Sequence, residues 1–257
     1  QVETSKFGKG AFQEMSGFGP RGMDAVEVLG KMTKYSAMIK SADDFHSIMS
    51  RAHRAMFEGR PGPVHINIPI DVQRKPCTPR WSTETTHIAI SHQNIAAAKE
   101  LIAQSSAPLI LVGRGCRLAN EAVHRFVERL QIPFCTTIQA KGAVFNEPLD
   151  FGIAGIAGSL RANAYLKEKC DLLICLGTSL NEFTTNGFAE HFDRVKKIRV
   201  DIDSREIDKN GKPTLGIHGD VNEFIELMLS ERTPLIAKSI RPEIQQWAMS
   251  VPKIKET

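Results

Sequence analysis

Three runs of this chain are apolar along most of their length, Pro108–Gly113, Pro133–Ile138 and Asp171–Gly177, and a fourth, Lys197–Asp203, reads as a strand through Ile198, Val200 and Ile202. Around them lie stretches with helical spacing, Ile95 to Ile102, Asn120 to Leu130, Leu160 to Lys169 and Val221 to Ser230. A strand that is apolar on both faces must be covered on both, and alternation with helices gives the crossovers that parallel strands need. The pattern predicts an α/β fold, a doubly wound, Rossmann-like parallel sheet over residues 93–232.

The residues before this domain read differently. Ser41-Ala-Asp-Asp offers a helix cap, and Phe45, Ile48, Met49, Ala52, Ala55 and Met56 recur at helical spacing as far as Gly59. Gly59-Arg-Pro-Gly-Pro is a turn, followed by a short buried strand through Val64, Ile66 and Ile68. One helix and one strand cannot enclose a core. Residues 1–76 are therefore expected to be the end of a partial α/β domain, and the chain a piece of a larger enzyme that opens at Gln1 without an initiator Met or targeting segment. Residues 77–92, with Pro79 and the polar run Ser82–Thr86, are expected as a linker. Residues 233–257, with Pro234, Pro242 and Trp247, are expected as a strap.

Composition removes several functions. No apolar run approaches the ~20 residues that span a bilayer. The net charge of +4 comes from scattered basic residues, with Lys196-Lys197 and Arg51/Arg54 read as short solvated clusters, so neither a membrane nor a nucleic acid is an expected partner. Cys77, Cys116, Cys135, Cys170 and Cys175 form no CxxC, and the last three sit in or beside apolar runs as small hydrophobes. That favours a reducing, cytoplasmic setting over disulfide or zinc chemistry. The eight histidines show no paired ligand spacing, His65 reads as a partly wet strand residue, and no Gly-x-Ser-x-Gly elbow is present.

In a doubly wound sheet, ligands bind outside the carboxyl ends of the strands. Four loops qualify: Gly113-Arg-Gly115-Cys, Gly155-Ile-Ala-Gly158-Ser159, Gly177-Thr178-Ser-Leu-Asn and Asp201-Ile-Asp203. Glycines let backbone approach a pyrophosphate, helix N–H groups attract it, and an acidic pair suits ribose hydroxyls. The same glycines equally suit plain strand-to-helix turns, and spacing alone leaves the choice open. Asp220 reads as the cap of the helix from Val221.

Seven segments in one order resemble thiamine-diphosphate-dependent enzymes of the acetolactate synthase type. They are Gly8-Lys-Gly-Ala-Phe-Gln-Glu14, Thr33-Lys-Tyr-Ser36, Gly59–Val64 with Ile68–Val72, Gly155–Ser159 with Ala162-Asn163, Asp171–Gly177, Asp201–Ile207 and Gly219-Asp-Val221. The resemblance implies that residues 1–76 end a pyrimidine-binding domain, that 93–232 are the central domain, and that a diphosphate-binding domain lies beyond the strap. It also implies thiamine diphosphate and magnesium as cofactors, loss of carbon dioxide from a 2-oxo acid, and attack on a second carbonyl compound such as an aldehyde, or protonation. The activating glutamate and the metal motif would then lie outside this chain, leaving it inactive alone and without catalytic or metal-binding residues. The parent would be a homodimer or tetramer.

Few positions carry over. Phe12 and Gln13 match residues lining the family's active-site entrance. In members that hold flavin adenine dinucleotide (FAD), the loops matching Gly113–Cys116, Gly155–Ser159, Gly177–Leu180 and Asp201–Asp203 bind it. Departures are Ile70 where a Lys is usual, Ala157 for a His, Asn181-Glu-Phe-Thr-Thr for an Arg/Asp-rich loop, and a long connection over Pro20–Met32. These suggest a relative rather than a true acetolactate synthase. Two alternatives stay open: a non-catalytic nucleotide-binding module, and a degenerate enzyme whose central domain is a spacer.

Overall fold

A computed structural model describes residues 2–19, 22–145, 148–230 and 242–252. The chain divides into two units, Gln1–His87 and Ile88–Thr257.

The first unit runs from a single helical turn at Thr4–Lys6 through α1 (Ala25–Gly30), β1 (Tyr35–Met38), α2 (Asp44–Phe57), β2 (Val64–Asn67) and α3 (Ile70–Gln73). β1 and β2 pair in parallel, Tyr35 opposite Val64 and Met38 opposite Asn67, so the strand expected after Gly59 has a partner that the sequence did not disclose. The small core is Ile39, Ile48 and Val72, ringed by Tyr35, Phe45, Met49 and Ile66. Asp43 stands at the cap position of α2 without a side-chain bond, and the Ser41 hydroxyl accepts the Asp44 amide at 3.3 Å. His65 is half-buried, its ring Nδ1 2.9 Å from Ser36 Oγ. Part of the segment read as a linker lies along α2: Trp81 meets Phe45 edge-on at 6.0 Å, and the Ser82 amide donates to Ser50 Oγ at 3.0 Å.

The second unit contains α4 (His92–Gln104), β3 (Pro108–Val112), α5 (Asn120–Leu130), β4 (Phe134–Thr136), β5 (Asp150–Ile153), α6 (Leu160–Glu168) and β6 (Leu172–Leu176). It continues with α7 (His191–Arg194), β7 (Lys196–Asp201), α8 (Ser204–Ile207), β8 (Leu215–His218), α9 (Val221–Leu229) and α10 (Pro242–Ser250). Six strands form one parallel sheet in the order β5-β4-β3-β6-β7-β8. Alternation along the strands splits the core in two. Ile110, Val112, Leu172, Ile174, Leu176, Ile198, Val200 and Ile217 face α4, α5 and α9, where Phe126, Val127, Phe224 and Ile225 meet them. Leu109, Leu111, Leu173 and Cys175 face the other layer, built on Ala162, Tyr165, Leu166 and Phe192. The expected doubly wound fold is present.

Lys197 corrects an expectation. It is 3% exposed, not solvated, and so is Arg199 at 1%. Both take the side of β7 opposite that of Ile198 and Val200, which the pleat turns inward. Lys197 Nζ donates to the carbonyls of Phe192 and Val195, and desolvation lowers its pKa. Arg199 donates to Lys209 O and, at 3.3 Å, to Thr178 O. Two buried cations held by carbonyls are tolerable because each donor has an acceptor. Of the expected strap, 233–241 and 253–257 lie outside the described residues. Within α10, Trp247 packs edge-on against Tyr165 at 5.3 Å and Ala248 is buried in the second core layer.

Candidate functional site

The strand order reverses between β3 and β6, so the switch-point crevice lies at their carboxyl ends. Gly113 and Gly115 leave one strand there, and Gly177 and Thr178 leave the other. These loops are packed on each other. The Gly113 amide donates to Leu176 O at 2.8 Å and the Gly115 amide to Gly177 O at 3.0 Å. A Cβ on Gly113 would stand 2.2 Å from Gly177 O, and one on Gly115 2.8 Å from Gly177 Cα. Thr178 Oγ1 receives the Leu180 amide at 3.4 Å, and Asn210 Nδ2 donates to Leu180 O at 3.0 Å. With Arg199 on Thr178 O, the loop after β6 is held from three directions.

The loop after β5 is built in the same way. Gly155 has φ +100° and would place a Cβ 1.8 Å from Phe183 O; the Ile156 amide donates to that same oxygen at 2.8 Å. Gly158 would place one 2.4 Å from Ile153 O. Ser159 caps α6 through the Ala162 amide at 3.2 Å and donates to Phe151 O. Asn163, which in the sequence stands only as part of a motif, grips the Gly155 residue twice. Its Oδ1 accepts the Gly155 N–H and its Nδ2 donates to the Gly155 C=O, each at 2.9 Å.

The acidic pair is also engaged. Asp201 Oδ1 accepts the Asp203 amide at 3.0 Å. Asp203 caps α8 through the Arg205 amide at 3.1 Å and pairs with the Arg205 guanidinium at 2.7 Å. Asp220 accepts the Asn222 and Glu223 amides at 2.8 and 3.3 Å, the capping role expected for it. These glycines thus serve contacts between loops. Thr137, absent from the candidates, differs. It follows β4 at this edge, is 7% exposed, and its hydroxyl has no hydrogen-bond partner among the described residues.

Phe12 and Gln13 lie in the first unit at the tip of a tight turn. Phe12 is 87% exposed, and Gln13 adopts the left-handed conformation at φ +63°. Behind the turn, Glu14 accepts the Gly8 amide, the Ala11 amide at 3.4 Å and the Ser16 hydroxyl at 2.6 Å. Ile70 opens α3 and is 41% exposed. Among the described residues no group of three or more His, Cys, Asp or Glu side chains is placed to hold a metal, and no helix is long and apolar enough to cross a membrane.

Residues 95–228 match the family described as thiamine pyrophosphate enzyme, central domain. The chain belongs to that family. The match covers every strand of the large sheet, so the thiamine pyrophosphate enzyme central domain is this Rossmann-like unit. Similar proteins extend the likeness beyond it. An acetolactate synthase large subunit of Porphyra purpurea is 33% identical over 260 residues, covering 96% of this chain and 41% of its own length. Acetolactate synthase 1, chloroplastic, of Zea mays is 32% identical over 237 residues, covering 89% of this chain and 36% of its own. The same-named protein of Oryza sativa is 30% identical over 230 residues, covering 86% and 34%. The chain spans well under half the length of each.

Proposed function

We propose that the whole protein is a thiamine-diphosphate-dependent lyase or carboligase acting on 2-oxo acids and a second carbonyl compound, an acetolactate-synthase-like transferase. The observation that carries this is the family match across the complete central sheet, continued by acetolactate synthase likeness into the first unit. Residues 1–76 are the end of a pyrimidine-binding domain, 77–92 a linker, 93–232 the central domain, and 233–257 a strap towards a diphosphate-binding domain. A homodimer or tetramer is the working form. Free thiols at all five cysteines suit a reducing compartment such as the cytoplasm.

When bound, thiamine diphosphate supplies a carbon nucleophile and an electron sink for the carbanion left by decarboxylation. This chain's contribution is positional. Phe12 offers an apolar wall on a rigid turn, and the Gln13 carboxamide offers a donor and an acceptor for a substrate carbonyl or carboxylate. The magnesium ligands belong, by the likeness to that family, to other parts of the whole protein. Flavin gains no support from glycines whose missing side chains are used by neighbouring loops. The nucleotide-module reading has the unpartnered Thr137 hydroxyl in its favour and little else.

The whole protein, stripped of cofactor and supplied with a 2-oxo acid, should consume it only when thiamine diphosphate and a divalent cation are returned together. Turnover rising by at least ~1,000-fold on reconstitution is the expected result. Equal turnover with and without the cofactor would sink the reading.

A further inference from the structure

The turn that carries Phe12 and Gln13 has little to hold it in its own sequence. Gly8 and Gly10 stand at φ +73° and +68°, and Gln13 at +63°. Gly8 and Gly10 adopt that conformation freely, but at Gln13 it is disfavoured by roughly 1–2 kcal/mol. Side-chain contacts must offset that cost.

Glu14 does so from one side. One carboxylate oxygen accepts the Gly8 amide and the Ser16 hydroxyl, and the other the Ala11 amide, so the donors span both flanks of the tip. The Glu14 amide closes the turn on Ala11 O at 3.1 Å. The Ser16 hydroxyl and the amides of Gly8 and Ala11 also hold the carboxyl below the usual glutamate range, so it is charged at neutral pH.

The loop after Glu14 completes the arrangement. Ser16 bridges Asp24 in antiparallel fashion, the Gly17 amide donates to Met23 O at 3.1 Å, and the Ala25 amide to Met15 O at 3.1 Å. That loop is therefore closed at its base, on the residues that open α1; Asp24 is the α1 cap. Phe18 from it stacks on Phe7 at 5.6 Å and 19°. Phe7 follows the turn whose Thr4 is tied to Asp71 of α3, amide to carboxylate at 3.0 Å. Phe12, at the tip, is 87% exposed.

We infer that Glu14 is a positioning residue. It clasps the Gly8–Gln13 turn to the loop that begins at Met15, and so sets how far Phe12 and Gln13 reach towards the second carbonyl substrate. This rests on the function proposed above; the clasp itself rests on the contacts alone. The conservative variant Glu14→Gln keeps an oxygen for the backbone amides, whereas Glu14→Ala keeps nothing.

Two measurements test it. In the whole protein, Glu14→Ala should speed hydrogen exchange of the Gly8 and Ala11 amides by about tenfold or more, and Glu14→Gln by clearly less. In the whole protein, Glu14→Ala should raise the acceptor KM about tenfold, more than it lowers kcat, with Gln largely restoring it; Phe12→Ala should raise the acceptor KM in the same way. Unchanged exchange in Glu14→Ala would overturn the clasp. So would an acceptor KM that moves with Phe12→Ala but not with Glu14→Ala. If Phe12→Ala itself moves nothing, the reading of the entrance fails, and with it the inferred role of Glu14 in catalysis, whatever the exchange shows.

Discussion

Gly155→Ala should be among the most damaging single-atom changes in the central domain, costing about 3–5 kcal/mol. Two penalties combine. At φ +100° a side chain strains the backbone, and the added Cβ would meet Phe183 O at 1.8 Å, well inside any allowed contact. The oxygen cannot retreat cheaply, because it also accepts the Ile156 amide. Gly142 provides the control. It has φ +81° and no neighbour within 4 Å among the described residues, so Gly142→Ala should show only the backbone strain, ~1–2 kcal/mol. Urea unfolding of both variants separates the two contributions. Equal losses would mean that Phe183 does not press on Gly155, and that the crevice has room for a visiting group.

Asn163→Ala should cost about 1–3 kcal/mol, because it leaves the buried Gly155 N–H without its acceptor and takes one of two donors from the Gly155 C=O, which keeps the Gly158 amide at 2.9 Å. The Gly155 N–H and C=O have the Asn163 carboxamide 2.9 Å away on each side. Asn163→Asp is the informative companion. It keeps an acceptor for the N–H but sets an oxygen against the carbonyl, so it should rescue little. Since both residues serve one loop, Gly155→Ala and Asn163→Ala together should lose less than the sum of the single losses. Thermal melts of the three variants and the double variant give the answer, and rescue by Asp to near wild type would remove the carbonyl contact from the account.

The sequence announced the buried centre of the sheet and was silent about its edges. β3 and β6 are legible because their residues are apolar on both faces, and β7 because Ile198 and Val200 alternate with polar residues. β5 is not, because Asp150 and Gly152 break the run, and Gly152 sits at φ +93°. β8 has only Ile217 fully buried, and its Gly216 and His218 read as loop. α4 starts at His92, three residues before the Ile95 that the apolar spacing indicates, since Ser91 caps it through the Asn94 amide. At the crevice, glycine positions were found but their use was not. A backbone that approaches a ligand and a backbone that approaches another loop make the same demand, absence of a Cβ, and only the neighbour distinguishes them. Asn163 lies eight residues beyond the peptide it holds and matches no local motif. Lys197 looked like a surface charge because its burial depends on strand register, which pairs it with Leu173 across the sheet.

The most direct test of the functional claim follows carbon rather than substrate loss. The whole protein, loaded with thiamine diphosphate and a divalent cation, is given a 2-oxo acid and an aldehyde or second oxo acid, and carbon dioxide and new carbon–carbon bonds are counted together. One carbon dioxide released for each coupled or protonated product, both absent without the cofactor, is the predicted result. A 2-oxo acid left intact, or converted without loss of carbon dioxide, would contradict it.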